Sequence, residues 1–164
     1  MKEGPVGLLL YGYLVAKLGA ARVRREHDVD TLTSDRRRGR PEQVDFVVGR
    51  TEHATGQYSA NTVIEFAVRR ADQKAGADPV NNLSEIAKLV RAEAKHRILL
   101  LLDLTPDDIG ASIVEKYRSR GYTRGRPRGS ASDRIVVLYV GEHGTHRAKL
   151  KRQSLKPRKS KARK

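Results

Sequence analysis

Residues 82–102, NLSEIAKLVRAEAKHRILLLL, decide the fold. Asn82 is a helix cap, and Glu85 three positions later completes a capping-box pattern. Leu83, Ile86, Ala87, Leu89, Val90 and Ala94 follow at helical spacing, so one stripe of this segment is apolar. The aliphatic run Ile98–Leu102 comes straight after. It has no polar alternation, which is the pattern of a strand buried on both faces. A strand of that kind, entered from a helix, is one half of a parallel crossover.

Working outward, residues 5–18 form a helix opened by Pro5 and stopped by Gly19. Leu8, Leu10, Tyr11, Leu14, Val15 and Leu18 leave it substantially buried. Residues 21–29 alternate around Val23, Arg25, His27 and Val29, as a half-wet strand does. Residues 44–48 and 62–69 are two further strands, and the polar residues 50–61 with Gly56 read as the hairpin between them. Downstream, Thr105, Pro106 and Asp108 give a helix start, and that helix runs to Arg120 before Gly121. The last strand is residues 135–140. The expected fold is a single α/β domain over residues 1–143, a mixed sheet flanked by helices in the order α-β-β-β-α-β-α-β. Residues 144–164 are expected to be a disordered basic tail.

The 164 residues allow one domain with a core. The net charge is +15, from 34 basic and 19 acidic side chains. From Arg147 to Lys164 there are 10 basic residues and no acidic one, and the remainder of the chain carries only +5. A field of this size selects polyanions, with nucleic acid first and anionic membrane surfaces second. The absence of cysteine excludes disulfide scaffolds, thiol catalysis and cysteine-built zinc sites. Residues 4–21 are apolar, but Lys17 and four glycines interrupt them and they are short for a membrane span. With Lys2 offset by Glu3 there is no secretory leader pattern, so a cytoplasmic, nucleoid-associated protein with no membrane partner is expected.

Two acids stand in apolar strand surroundings: Asp45 between Val44 and Phe46, and Glu65 between Ile64 and Phe66. If their strands pair through the hairpin, both carboxylates share one sheet face. Such a pair of hard oxygen donors suits Mg²⁺, or Mn²⁺, which takes one or two protein carboxylates plus phosphate and water. A metal so held activates water and stabilises the leaving oxygen of a phosphodiester. The competing readings are a strand-entry cap or arginine partner for Asp45, and an ordinary solvated strand residue for Glu65. Glu3 and Glu26 are secondary acid candidates, more often surface carboxylates than ligands. The five histidines show no metal-ligand spacing.

The stretches 41–48, PEQVDFVV, and 63–69, VIEFAVR, together with the element order, resemble the PD-(D/E)XK nuclease superfamily of restriction endonucleases and Holliday-junction resolvases. In that family an acid opens the second core strand and the third carries acid, any residue, lysine. The resemblance implies metal ligation and catalysis at Asp45 and Glu65 in a metal-dependent DNA endonuclease or resolvase-like phosphodiesterase. Two departures are plain: Pro41 lies four positions before Asp45, and Ala67 stands where the family has its lysine. Arg69 falls on the Glu65 face by alternation, yet a guanidinium stays protonated and accepts no proton. Lys88 or Lys95, from the following helical segment, are the substitutes, and Arg69 and Lys88 complete the candidate catalytic set.

The candidate nucleic-acid contacts are Arg36, Arg37, Arg38 and Arg40 before the Asp45 strand; Arg118, Arg120, Arg124, Arg126 and Arg128 around the glycines of residues 117–129; and Lys149, Lys151 and Arg152 in the tail. Their competing reading is solubility and nonspecific charge. With two phenylalanines and no tryptophan, stacking platforms are few; Tyr58 and Tyr122 are the exposed candidates. Duplex or branched DNA is therefore the expected partner. Alternatives are a noncatalytic DNA-binding protein of nuclease-like fold and a basic RNA-associated protein. A homodimer is compatible with each.

Overall fold

The computed structural model describes residues 4–30, 41–52, 55–69, 83–120 and 134–151. Its elements are α1 (Gly4–Leu18), β1 (Val23–Val29), β2 (Glu42–Thr51), β3 (Tyr58–Arg69), α2 (Leu83–Arg91), β4 (His96–Asp103), α3 (Gly110–Arg120), β5 (Arg134–Gly141) and β6 (Gly144–Lys151). The protein is an α/β single domain with one mixed sheet, six strands in sequence order. Strands β1, β2 and β3 form an antiparallel meander, β3, β4 and β5 run parallel, and β6 returns antiparallel to β5. The parallel steps are the ones bridged by α2 and by α3, as the helix-then-aliphatic-strand pattern requires.

Each face of the sheet has its own apolar layer. Under α2 and α3 lie Val63, Leu99, Leu101, Ile135, Val137 and Leu150, packed on Ile86, Leu89, Val90, Ile113, Val114 and Tyr117. Under α1 lie Phe46, Ile64, Phe66 and Val68, packed on Val6, Leu10, Tyr11 and Leu14. At about 1.5–3 kcal/mol for each buried aliphatic or aromatic side chain, these layers outweigh local propensity. The C-terminal end of α2 is closed by Arg97, whose buried guanidinium donates to the Ala92 carbonyl at 3.1 and 2.8 Å.

Five details differ from the sequence reading. Helix α1 is not substantially buried: Gly7 is its only buried residue, and Leu8, Leu9 and Tyr13 are 58%, 74% and 60% exposed. One apolar flank serves the Phe46–Phe66 layer, and nothing among the described residues covers the other. For the same reason β4 is fully buried only toward α2 and α3; Ile98, Leu100 and Leu102 are half-buried toward α1. The hairpin loop is shorter than residues 50–61, since β2 runs to Thr51 and β3 starts at Tyr58. Gly56, at φ +67°, makes the turn, and a register shift at Val48/Gly49 brings β2 so close that a Cβ on Gly49 would lie 2.1 Å from the Ser59 carbonyl oxygen.

Helix α3 begins at Gly110, not at Thr105. The Asp103 carboxylate takes both the Thr105 N–H, at 2.9 Å, and the Thr105 hydroxyl, at 2.7 Å. That Asx-type turn uses the hydroxyl that would have capped a helix. Finally, the domain does not end at residue 143. Residues 144–151, assigned above to a disordered tail, are β6, paired with β5 from Gly141↔Gly144 to Arg134↔Lys151. Ala148 and Leu150 are buried while Arg147 and Lys149 are exposed, so the basic residues of this strand hid an ordinary period-two pattern.

Candidate active site

The pairs Phe46↔Ile64 and Val47↔Val63 fix the register of β2 on β3, and Asp45 lies just past the end of that ladder, near enough to Glu65 for its charge to act on the Glu65 carboxyl. The Phe66 N–H donates to Asp45 Oδ2 at 2.7 Å, tying the Asp45 side chain to the neighbouring strand. On α2, Ile86, Leu89 and Val90 are buried against the sheet. The same turn carries Lys88, whose ammonium donates to Glu65 Oε2 at 3.0 Å. The Glu65 side chain is 1% exposed and that of Lys88 34%, so the pair runs from the sheet interior to the solvent edge of the helix. The other Glu65 oxygen, Oε1, is buried with no hydrogen-bond partner.

The electrostatics follow from that placement. Burial, then the charge of Asp45, pushes the Glu65 carboxyl up to about 7 against the opposing bond from Lys88. Burial likewise raises Asp45, opposed by the Phe66 N–H and the Lys88 charge. Burial alone would lower Lys88, but the Glu65 hydrogen bond and the charges of Glu65 and Asp45 carry it above its ordinary value. Lys88 is thus a charged donor at neutral pH and not a base. Glu85, on α2, and Glu26, on β1, add negative potential at Asp45. Glu26 sits between the pairs Arg25↔Phe46 and His27↔Val44 with φ at 49°, a left-handed conformation unusual for a non-glycine residue and common beside functional sites.

Neighbouring carboxylates, where the charge of Asp45 raises the proton affinity of Glu65 and Glu65 keeps a buried unpartnered oxygen, cost stability. An unsatisfied buried acceptor alone costs about 1–3 kcal/mol. A divalent cation would remove both the repulsion and the orphan acceptor. Asp45 and Glu65 fit such an ion as its protein carboxylates, the remaining positions being those water and phosphate fill for Mg²⁺. No cluster of three or more His, Cys, Asp or Glu side chains placed to hold a metal occurs among the described residues.

Arg69 is engaged elsewhere. It lies four residues along β3 from Glu65, roughly 13 Å at strand rise, and donates to Asp103 Oδ2 at 2.9 Å, Thr105 Oγ1 at 2.7 Å and Asp107 Oδ2 at 2.6 Å. Tyr139 also donates to Asp103, whose side chain is 1% exposed. Burial pulls the Asp103 carboxyl upward, but the bonds from Tyr139, Thr105 and Arg69 outweigh it and hold the group below its ordinary value. Burial and the Asp103 acceptor raise the Tyr139 phenol. The sequence reading missed this network; its signal was the lone acid ending the aliphatic run of β4.

Lys95, the other substitute lysine, is exposed between α2 and β4. Tyr58 is not an open stacking platform: it is half-buried, its hydroxyl donates to the Arg22 carbonyl at 2.7 Å, and Arg24 lies 5.0 Å from its ring centre. Arg118 and Lys149 are exposed, Arg118 beside Glu115 at 2.6 Å. Arg120 and Lys151 end α3 and β6. Arg36, Arg37, Arg38, Arg40, Tyr122, Arg124, Arg126, Arg128 and Arg152, like Glu3 and Asn82, lie outside the described residues. No helix among the described residues is long and apolar enough to cross a membrane. Comparison of the chain with protein-family models, with curated proteins and with solved structures gave no match.

Proposed function

We propose that this protein is a metal-dependent phosphodiesterase acting on DNA, of the PD-(D/E)XK kind, in which Lys88 replaces the motif lysine absent at position 67. The observation that carries the reading is the Lys88–Glu65 contact beside Asp45, with Glu65 Oε1 buried and unpartnered. An ammonium delivered from α2 reaches the same carboxylate that a lysine two residues along β3 would reach. The element order, the two strand acids and the +15 charge point the same way. Asp45 and Glu65 would hold Mg²⁺ or Mn²⁺, which when bound supplies Lewis-acid polarisation of the phosphodiester and an activated water. Lys88, protonated and at the solvent edge of the pair, donates hydrogen bonds to a phosphate oxygen and offsets charge that builds in the transition state.

The test is cleavage of supercoiled, linear and four-way-junction DNA, and of duplex RNA, with Mg²⁺ or Mn²⁺. Asp45→Asn and Glu65→Gln are assayed alongside. Cleavage lowered by orders of magnitude in both variants, with binding retained, supports the proposal. Tight binding by an inert wild type would replace it with the noncatalytic DNA-binding reading, and cleavage of RNA alone with the RNA reading.

A further inference from the structure

The outermost strand β6 carries Arg147 and Lys149 on alternate positions, both exposed, while Ala148 and Leu150 between and beyond them are buried. Positions two apart on a strand repeat every ~6.7 Å, so the two cations form a short row along the sheet edge. Arg118, near the end of α3, joins them: Arg118, Arg147, Ala148 and Lys149 line one open cleft of about 510 Å³. Glu115 pairs with Arg118 at 2.6 Å, but both groups are more than half exposed, and such pairs are worth little and exchange readily.

We infer that this cleft is a second contact surface of the protein and takes the phosphate backbone of duplex nucleic acid. Charged residues on an edge strand also deter sheet-to-sheet aggregation. That role requires outward charges only; it does not require a cation from a neighbouring helix to line the same cleft. A concave cleft flanked by three cations also suits a narrow ridge of phosphates better than the flat contact a membrane surface offers. Strand β6 lies three strand steps from β3, roughly 14 Å at the usual spacing.

The inference rests on the nucleic-acid part of the function proposed above and not on catalysis. The full chain with Arg118→Ala, Arg147→Ala and Lys149→Ala is compared with a control losing three exposed cations elsewhere, Lys17→Ala, Arg50→Ala and Lys116→Ala. Binding of a fluorescent duplex is measured across salt concentrations. The cleft variant should lose about tenfold or more in affinity, and its log–log salt slope should fall by about 2–3, near 0.9 for each phosphate contact removed. The control should keep the wild-type slope. Equal losses in the two variants would overturn the inference and leave the proposed function untouched. Loss of binding to phosphatidylserine vesicles with DNA binding intact would overturn it in favour of a membrane contact. Absence of duplex binding by the wild type would overturn both readings, whereas Asp45→Asn that binds without cleaving would leave this one standing.

Discussion

Lys88 on α2 and Glu65 on β3, 23 residues apart in the chain, meet at 3.0 Å under the helix that the β3–β4 crossover lays on the sheet. The contact couples the fold to the candidate chemistry. The same turn of α2 that buries Ile86, Leu89 and Val90 sets the ammonium over the carboxylate. Lys88→Ala is therefore expected to lower cleavage by about 10²–10³-fold, the scale of losing one preorganised donor. Adding Ala67→Lys to Lys88→Ala should restore part of it, because position 67 is half-buried on the face that Glu65 occupies. Single-turnover assays of the single and double variants check this; no recovery would show that the ammonium is needed at the α2 position specifically.

The stability cost of Lys88→Ala should itself depend on pH. Removing one partner of a buried pair costs about 3–5 kcal/mol when the remaining charge is stranded. Glu65 escapes much of that by taking up a proton, since its carboxyl already lies at about 7. Urea unfolding should therefore show a small loss at pH 6 and a larger one at pH 8.

In the wild type the folded protein holds the Glu65 proton to about pH 7, and the unfolded chain releases it near 4.5. Between those values the folded state binds more protons, so this group lowers stability as pH rises through the window, by up to about 3 kcal/mol. Asp45, also raised, acts in the same direction. Glu65→Gln should flatten this slope in thermal melts. Because a carboxylate must lose its proton to bind a cation, Mg²⁺ should raise the melting temperature more at pH 8 than at pH 6, and adding EDTA should reverse the gain. A shift of the same size at both pH values would place the ion elsewhere.

Asp103 has the opposite sign. Its carboxyl is held below 3.8, so its stabilisation is present above that value and is lost as pH falls through the lower folded value. Asp103→Asn should cost about 2–4 kcal/mol at pH 7, on the scale of breaking a buried hydrogen-bonded charge. It should cost less at pH 3. Arg69→Lys should destabilise too, because an ammonium cannot span Asp103, Thr105 and Asp107 at once.

How much of this was legible in the chain depended on whether a signal was local. The α2–β4 pair stood in the sequence because a capped amphipathic helix leading into five aliphatic residues has one reading. That Asp45 and Glu65 stand on neighbouring strands followed once the hairpin was placed. Lys88 could be placed in the candidate catalytic set, but its contact with Glu65 could not be read, because its reach depends on how α2 sits on β3, a tertiary fact. Arg69 shared the right face by alternation, yet Asp103, 34 residues away, captures it. Strand β6 was hidden by composition: Arg147 and Lys149 raise the polarity of a segment whose buried positions are only Ala148 and Leu150. The outer flank of α1 was misread because an apolar helix shows how much surface it offers, not how much the rest of the protein can cover.

Two glycines should differ in tolerance. A Cβ on Gly49 meets the Ser59 backbone, which cannot move without breaking the β2–β3 ladder. One on Gly110 meets the His146 and Tyr139 side chains at 2.4 and 2.7 Å. Gly110→Ala should cost about 1–3 kcal/mol, the usual range for overpacking; chemical denaturation should show Gly49→Ala costing more.

The boundary of the domain gives the last prediction. Strand β6 buries Ala148 and Leu150 beside Ile135 and Val137, and its ladder with β5 runs to the pair Arg134↔Lys151. A chain stopped after residue 143 loses that ladder, exposes the apolar positions of β5 and turns it into a free parallel edge. It also uncovers the flank of α3, where Gly110 packs on His146. Losing Leu150 alone is worth about 2–5 kcal/mol by analogy with core truncation, a large part of the 5–15 kcal/mol total of a typical domain. This truncation should therefore fold poorly or aggregate. A chain stopped after residue 151 keeps every one of these contacts and should melt within a few degrees of the full protein. It should bind DNA more weakly and with a shallower salt slope, because seven of the ten basic residues from Arg147 onward lie beyond that point. Circular-dichroism melts of the two truncations, with salt-titrated binding of the longer one, test the assignment. Equal stability of the two would return residues 144–151 to the tail.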